Sequence, residues 1–322
     1  MLFFKPNIVI SKCLNFDNCR FNWDKINDDF LLKLWKHVNF ITVCPEVWIW
    51  LWTPRLPLRI FNSKDGNRFF QPWNKLDLTD KINSFSKKFL ESQKNIDWFI
   101  MKNRSPSCWV WDVKIYDKSD SYSLDSGKWK WFFARNIDSF FSLIPIEDEW
   151  RLKNFRLREE FLTKIFCLSE FRDIKQNKKI SLLAEFQAKN KYLFMAYSQD
   201  IQVKLWRIVA SYDKTNLDEI FEKYFSELLK LFNTDLSIWK LINSFIHIFG
   251  YFKNHCSSEE KLFFSEMLEV YREGRIPTSS IILMLKSYSL RERNDYIIKQ
   301  TILSPYPREL VELSDSWRDL KL

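Results

Sequence analysis

The chain has 322 residues, of which 46% are hydrophobic and 28% are charged, and its formal net charge is +9. This balance excludes a largely disordered chain, and the length allows two domains with sizeable cores. No run of about 18 uncharged apolar residues occurs, so no membrane span is expected. The opening stretch MLFFKPNIVISKC lacks a basic n-region and a small-residue cleavage site, which favours a buried first strand over a signal peptide. We therefore expect a cytoplasmic protein with reduced thiols.

The first half of the chain alternates short apolar runs with segments of helical spacing. The runs NIVISKC and VNFITVC are typical of β-strands, and each ends in a cysteine. In chain order we predict a strand at 7–13, a helix at 28–37, a strand at 38–44, a helix at 77–94, a strand–loop–strand unit at 96–116, and a helix with a short extended segment at 132–152. This alternation predicts an α/β domain with a largely parallel sheet.

The segment VCPEVWIWLWTPRLPLRI, residues 43–60, has the alternating apolar residues of a strand. Its tryptophans, Trp48, Trp50 and Trp52, would however crowd one face of such a strand, because alternate side chains share a face. The segment is also notable for Cys-Pro-Glu at its start.

The second half of the chain is dominated by a period near 3.6 residues, which predicts an all-α domain. We predict helices at 155–172, 178–197, 199–211, 216–232, 235–255, 257–273, 278–288 and 291–303. The polar stretch RDIKQNKK, 172–179, is the predicted connector between the halves. The expected domains are therefore 1–155 and 175–315.

The six cysteines contain no CxxC pair, so the spacing of a zinc ribbon or a ferredoxin is absent. Cys13 and Cys44 follow predicted strands, and Cys108 lies in the loop after another. The carboxyl ends of parallel strands share one edge of a sheet, so these three thiols can converge there. Glu46 and Ser105 would come with them.

This convergence allows two interpretations of the cysteines. They can bind a metal together, or each can be a small buried hydrophobic residue. Cys19 is a candidate fourth ligand, whereas Cys167 and Cys256 are interpreted as structural.

Several motifs carry a resemblance to known families. VISKCL, VCPEVWIWLWTPRLPLR, DWFIMKNRSPSCWVWDVKIY, SGKWKWFFAR and IPIEDEWRL, in this order over about residues 5–153, resemble thiouracil desulfidases of the TudS type. LLAEFQAKNKYLFMAYSQD, HIFGYFKNHCSSEEK, VYREGRIP and ILSPYPREL, over about 178–310, are similar to the YbgA-type helical domain that is often fused to them.

The resemblance implies an α/β catalytic domain that holds a 4Fe-4S cluster on Cys13, Cys44 and Cys108. Thiolates suit such a site, and three ligands would leave one iron open to bind a thiocarbonyl sulfur. Glu46 would be the proton donor or base, and Ser105 would orient the substrate by a hydrogen bond.

The implied reaction removes sulfur from a thiolated nucleobase or nucleotide as hydrogen sulfide, with no net redox change. Two alternatives stay open: a non-catalytic nucleic-acid or nucleotide binding module with a structural metal on the same cysteines, and a cluster enzyme that adds sulfur. Arg55 and Arg104 are candidates for holding a phosphate or carboxylate, or for structural ion pairs.

The chain has only 4 glycines but 15 tryptophans, although about 7% glycine is usual. Where the desulfidase and helical-domain patterns have glycine, this chain has tryptophan at Trp50, Trp52, Trp98, Trp109, Trp131, Trp150 and Trp206. Glycine marks positions of positive φ or close backbone approach, so these exchanges are implausible as ordinary substitutions. We hypothesise that UGA codons that encode glycine were translated as tryptophan. The alternative is a set of aromatic platforms for bases. In a structure that has tryptophan at these positions, we expect the side chains of the loops at 48–52 and 109–111 to be crowded.

The helical domain family has a segment of the form FHxRHK. The corresponding segment of this chain is FQAKNK, with Gln187 and Asn190 in place of the histidines. This departure weakens any histidine-based role. The net charge allows RNA or a nucleotide as partner but does not require one, since no dense basic block occurs and Lys-rich composition also follows from an AT-rich genome. A basic face is nevertheless conceivable from Lys189, Lys191, Arg207, Lys253 and Lys286, with a solvated helix face as the alternative.

Overall fold

The computed structural model describes residues 3–63, 66–108, 115–116, 124–125, 132–212 and 216–311. The chain divides into two compact units, of which the first is Phe4–Ser169 and the second begins at Glu170 and includes the first three residues. Among the described residues, no helix is long and apolar enough to cross a membrane.

Among its described residues, the first unit contains nine strands, four α-helices and the start of a fifth α-helix. The strands are β1 (Asn7–Ser11), β2 (Asn39–Val43), β3 (Arg59–Ser63), β4 (Gly66–Gln71), β5 (Leu76–Asp77), β6 (Trp98–Met101), β7 (Ile115–Tyr116), β8 (Leu124–Asp125) and β9 (Ile146–Asp148). The helices are α1 (Asp29–Leu34), α2 (Pro45–Trp48), α3 (Thr79–Ser92), α4 (Phe132–Phe140) and α5 (Phe155–Asn177).

The central sheet confirms the predicted parallel α/β arrangement. Its order is β2-β1-β6-β9, and all three pairings are parallel. β1 and β6 lie inside the sheet and are almost wholly buried, as continuous apolar runs covered on both faces should be. Because all four strands point the same way, the loops after β1, β2 and β6 leave from the same edge.

A second, five-stranded sheet was not predicted. Its order is β5-β4-β3-β7-β8, and every pairing except β3 with β7 is antiparallel. The segment 43–60, whose alternating apolar residues suggested a strand, is mostly not a strand. Helix α2 follows Cys44 directly, and only residues 59 and 60 of the segment belong to β3. Pro45 explains the helix start, because a fixed φ and a missing N–H suit the first helical position.

Two clusters of buried apolar residues are found in the described part of the first unit. One packs Val9, Val43 and Phe99 of the central sheet with Phe133 of α4. The other joins Ile60 and Phe69 of the second sheet to Ile82 of α3. Phe85 of α3 borders both clusters, so α3 joins the two sheets in one core.

The second unit is helical, as predicted. It contains the rest of α5 together with α6 (Ile180–Lys189), α7 (Lys191–Tyr197), α8 (Gln199–Ala210), α9 (Leu217–Phe232), α10 (Ile238–Phe249), α11 (Ser258–Arg272), α12 (Thr278–Arg291) and α13 (Asp295–Ile298). The predicted helix at 178–197 is interrupted at Asn190, and the predicted connector is instead largely helical, because α5 continues to Asn177. Ser257 and Glu260 form a capping box at the start of α11.

Candidate active site

The structure brings the predicted cysteines to the carboxyl edge of the central sheet. Cys13 follows β1, Cys44 follows β2 without a gap, and Cys108 lies in the loop after β6. Cys44 and Cys108 are buried, whereas Cys13 is half-buried. The thiol of Cys19 is within hydrogen-bonding reach of both Cys13 and Cys44. Residues from three strand ends and one loop are therefore gathered at one place.

Glu46 lies at the centre of this cluster of cysteines. It lies in the first turn of α2, and only 4% of the residue is exposed. Ser107 Oγ donates a hydrogen bond of 2.7 Å to Oε1. The Cys44 thiol donates to Oε2 at 3.4 Å, and Arg55 Nη2 lies 4.0 Å from the same oxygen. The carboxylate thus links the cysteine after β2 to the loop that carries Cys108.

Ser105 is placed beside this network but does not contact Glu46 in any recorded hydrogen bond. Its Oγ accepts weak hydrogen bonds from the backbone N–H groups of Ser107 and Cys108, at 3.4 and 3.3 Å. It also lies 3.3 Å from Ser107 Oγ. The serine that holds the carboxylate is Ser107, which the sequence reasoning missed. The only available signal was the repeated serine in RSPSC.

The two arginines considered from the sequence have different environments. Arg55 is a buried ion-pair residue, since its side chain is 9% exposed and its Nη1 donates to the carbonyl oxygen of Cys19 at 2.9 Å. This contact fixes the loop that carries Cys19. Arg104 is exposed and has a left-handed backbone, with φ of 55°.

The loop after β6 is anchored by two acids at the end of β9, namely its last residue, Asp148, and the next residue, Glu149. Glu149 accepts from the backbone of Asn103 at 2.7 Å and pairs with Lys102 at 3.0 Å. Asp148 accepts from the Asn103 side chain at 3.3 Å, and it caps the following turn through the backbone N–H of Trp150 at 2.9 Å. The acids of IPIEDE therefore hold the backbone just before Ser105, a role that the sequence did not reveal.

The pKa values of Cys19, Cys44 and Cys108 are raised by hydrogen bonding and by burial. A hydrogen bond with Cys13 raises the pKa of Cys19 to about 12, and burial raises that of Cys108 to about 12, with the Glu46 charge adding to it. Hydrogen bonding to Cys19, then burial, then Glu46 raise the pKa of Cys44 further. These thiols must lose protons to bind a metal, so metal binding would release protons here.

The donor set fits an iron–sulfur group in its chemistry. Three soft sulfur donors come from three separate strand ends, and thiolate is the ligand that such clusters prefer. Within the part of the chain that the structure describes, no group of three or more His, Cys, Asp and Glu side chains is placed so that it could hold a metal ion.

Comparison with known proteins identifies both halves. Residues 8–149 match the family model described as 2-thiouracil desulfurase, and residues 191–307 match that of a protein family of unknown function, DUF1722. The chain is therefore similar to one family in its first half and to the other in its second half. Both resemblances predicted from the motifs are thereby confirmed.

Two individual proteins are also similar. The uncharacterized protein YbgA of Escherichia coli strain K12 is 25% identical over 155 residues, which is 48% of this chain and 92% of YbgA. The solved structure of the 4Fe-4S-dependent thiouracil desulfidase TudS matches with 22% identity and a TM-score of 0.37, over 49% of this chain and 99% of TudS.

The tryptophans that closely follow Glu46 in the chain are largely exposed. Trp48, Trp50 and Trp52 are 61%, 75% and 67% exposed, so the crowding expected at 48–52 is not observed. The segment 109–111 lies outside the described residues, as does Trp131. Trp50 has a φ of 66°, in the left-handed region that favours glycine.

Trp98 presents a different anomaly in the same domain. It is buried in β6, and its indole Nε1 has no hydrogen-bond partner among the described residues. A buried indole N–H normally finds a partner, because an unsatisfied donor costs about 1–3 kcal/mol. Trp150 and Trp206 are 66% and 57% exposed, and Trp206 lies in the DUF1722 part of the chain.

In the helical second unit, Gln187 and Asn190, which stand where the FHxRHK pattern has histidines, have structural partners. The buried Gln187 accepts a hydrogen bond of 2.5 Å from Tyr224, and the buried Asn190 donates to the carbonyl of Phe186 at 2.9 Å. Of the predicted basic face, Lys189 pairs with Glu170, and Lys286 donates to Ser304 at 2.8 Å.

Arg207 instead lines a groove of about 470 Å³ between α8 and α9. The other lining residues are Lys204, Ile208, Lys223, Ser226, Glu227 and Lys230. Lys223 and Lys230 pair with Glu219 and Glu227. For Lys204 and Arg207, no acidic partner is found among the described residues.

Proposed function

We propose that the desulfurase-family domain is an iron–sulfur-dependent desulfidase. It removes sulfur from a thiolated nucleobase or nucleotide as sulfide, and oxygen from water replaces it. The observation that carries this proposal is the buried Glu46, held between Cys44 and the Cys108 loop within the residues that match the 2-thiouracil desulfurase model.

Cys13, Cys44 and Cys108 are the residues that would hold a 4Fe-4S cluster. When bound, the cluster supplies a Lewis-acidic iron for the soft sulfur of a thiocarbonyl. Side chains of the protein itself would transfer the proton and orient the substrate.

Glu46 is the proton carrier in the proposed reaction. As a carboxylate it takes a proton from the attacking water, and the oxygen of that water forms the new bond to the ring carbon. As a carboxylic acid it returns this proton to the sulfur when the carbon–sulfur bond breaks. The proton that remains on the added oxygen is transferred to the departing hydrosulfide as the new carbonyl forms, so the products are the carbonyl base and hydrogen sulfide. Ser105, which is half-buried beside the carboxylate network, is the proposed hydrogen-bonding partner that orients the ring.

Anaerobic purification tests this function directly. We expect a brown protein with about four irons per chain on the proposed cluster and sulfide release from 2-thiouracil. Cys108→Ser should lose both the iron and the activity, whereas Glu46→Gln should keep the iron and lose the activity. Cys256→Ser, which changes a buried cysteine in the other unit, is the matched control and should retain both. A colourless protein with one zinc would reject the proposal in favour of a binding module with a structural metal.

We further propose that the DUF1722 domain recruits phosphate-bearing substrates, such as a thiolated nucleotide within RNA. The groove of Lys204 and Arg207 supports this, because cations without acidic partners are suited to phosphate oxygens. An open groove also suits a nucleic-acid strand better than a small molecule, because small molecules normally bind in enclosed pockets.

Binding of a fluorescent single-stranded RNA, measured at several salt concentrations, tests the recruitment proposal. Replacing both Lys204 and Arg207 with Ala should weaken binding and reduce the slope of log K against log salt by about 1.4, at roughly 0.7 per lost phosphate contact. Lys253→Ala, an exposed lysine that does not line the groove, is the control. An unchanged slope in the double variant would contradict the groove as the binding surface.

We also propose that glycine is the natural residue where tryptophan replaces it in the family patterns. The left-handed φ of Trp50 and the unsatisfied indole of Trp98 support this recoding. Mass spectrometry of the protein from its natural source should give glycine masses at these positions. UGG codons at the same positions would refute the proposal outright.

A further inference from the structure

We infer that Ser107 is the positioning residue for Glu46, and that it connects Glu46 to Ser105. The inference rests on the proposed function, in which Glu46 carries the proton and Ser105 faces the substrate. It assigns a role to a serine other than the one that the motif suggested.

The hydrogen-bond geometry decides where the Ser107 proton lies. Its Oγ is 2.7 Å from Glu46 Oε1, but 3.3 Å from both Cys108 Sγ and Ser105 Oγ. A charged acceptor at the shortest distance makes the strongest bond, so the single hydroxyl proton points to Glu46. Ser107 Oγ then has lone pairs free to accept from its other neighbours.

The Ser105 hydroxyl lies 3.3 Å from Ser107 Oγ and can donate a hydrogen bond to it. Because the Ser107 proton goes to Glu46, this contact completes a chain from Ser105 through Ser107 to Glu46. Ser105 is half-buried and Ser107 is fully buried, so Ser105 is the end of this chain nearer to solvent.

Both partners of the short bond are held independently of it. The carbonyl of Ser107 accepts from the N–H of Phe133 at 3.2 Å, which ties the loop to the start of α4. The carbonyl of Glu46 accepts from Leu51 at 3.0 Å. The hydroxyl of Ser107 therefore approaches the carboxylate from a fixed position, as preorganisation requires.

Without this hydroxyl, the carboxylate would keep contacts at one oxygen only. Among the described residues, Cys44 and Arg55 both approach Oε2, and Ser107 is the recorded donor to Oε1. Ser107→Ala should thus allow the carboxylate to rotate while leaving Ser105 in place. Since a general acid–base group contributes about 100- to 10,000-fold to rate, its misorientation should lower kcat by about 10- to 100-fold with little change in KM.

The experiment is a double-mutant cycle in the anaerobically purified full chain, with Ser107→Ala, Glu46→Gln and the double variant. We expect unchanged iron content and cluster absorption in all three, a lower kcat in Ser107→Ala, and no further loss when Ser107→Ala is added to Glu46→Gln. Multiplicative losses in kcat, or loss of iron in Ser107→Ala, would overturn the inference, because Ser107 would then act apart from Glu46 or through the cluster site.

A second readout separates this inference from the proposed function. If the wild-type protein releases no sulfide from any thiolated base, the proposed function fails, and the same cycle is read from Tm values. A Tm loss from Ser107→Ala that is much smaller in the Glu46→Gln background supports the positioning contact, and equal losses in both backgrounds overturn it. Ser105→Ala should raise KM more than it lowers kcat. The opposite pattern would indicate that Ser105, rather than Ser107, positions Glu46.

Discussion

Replacing Trp50 by glycine should stabilise the first unit, although glycine normally destabilises a folded chain. Trp50 has a φ of 66°, where a side chain with a Cβ costs about 1–2 kcal/mol. Glycine removes this cost but loses about 0.5–1 kcal/mol of backbone entropy on folding. The indole is 75% exposed, and its recorded ring contact is with the equally exposed Trp52 at 6.1 Å, so little packing is lost. The expected net gain is about 0.5–1 kcal/mol.

Trp150→Gly is the matched control for this prediction. Trp150 is 66% exposed and lies in the same unit, but its backbone is right-handed, with φ of −76° and ψ of −42°. No strain is relieved there, so only the entropic loss of about 0.5–1 kcal/mol is expected. The two exchanges are chemically identical and should have opposite signs.

Urea denaturation followed by far-UV circular dichroism measures both changes. With a slope of about 2 kcal/mol per molar urea, Trp50→Gly should raise the transition midpoint by roughly 0.25–0.5 M and Trp150→Gly should lower it by a similar amount. Equal slopes in the variants and the parent would show that the midpoints report stability. A decrease of the same size in both variants would refute the reasoning, since the left-handed backbone at Trp50 would then carry no cost.

Three further predictions concern single contacts. Cys19→Ser should leave the iron content unchanged if three cysteines hold the cluster, and complete loss of iron, measured colorimetrically after anaerobic purification, would show that Cys19 is an essential ligand. Tyr224→Phe removes the 2.5 Å hydrogen bond to the buried Gln187 and should lower the unfolding free energy by about 1–3 kcal/mol, measured by urea denaturation; a change below 0.3 kcal/mol would contradict this. Ser257→Ala removes the capping box with Glu260 and should cost about 1 kcal/mol, whereas Ser257→Asp should retain most of it; equal midpoints for Ala and Asp would argue against the cap.

The central sheet could be predicted because its strands are continuous apolar runs and its topology follows a general rule. NIVISKC and VNFITVC each stop at a cysteine, and parallel strands deliver their carboxyl ends to one edge. The positions of Cys13 and Cys44 after their strands follow from these two facts. The position of Cys108 is harder to predict, because Cys108 is only the seventh residue after the end of β6.

The second sheet could not be predicted from the same signals. β3 is RIFNS and β4 is GNRFFQ, which are short and rich in polar residues and so lack the continuous apolar pattern of a buried strand. Nor could the sequence distinguish Ser105 from Ser107. They are two residues apart in one loop, and only the tertiary position of Glu46 determines which hydroxyl reaches it.

The proposed catalytic residue Glu46 and the unusual tryptophans lie in the same segment, 43–60, but their positions depend on different parts of the structure. Cys44 and Glu46 are fixed by the end of β2 and the start of α2, and the indoles of Trp50 and Trp52 extend into solvent. Exchanging those indoles for glycine would therefore remove no recorded contact to Glu46. It would instead change the backbone freedom of the residues that lead to Arg55, whose guanidinium lies 4.0 Å from Glu46 and holds the Cys19 loop. The identity of these residues should thus affect how rigidly Arg55 is held, while the acid and its thiol neighbours stay where the strand ends place them.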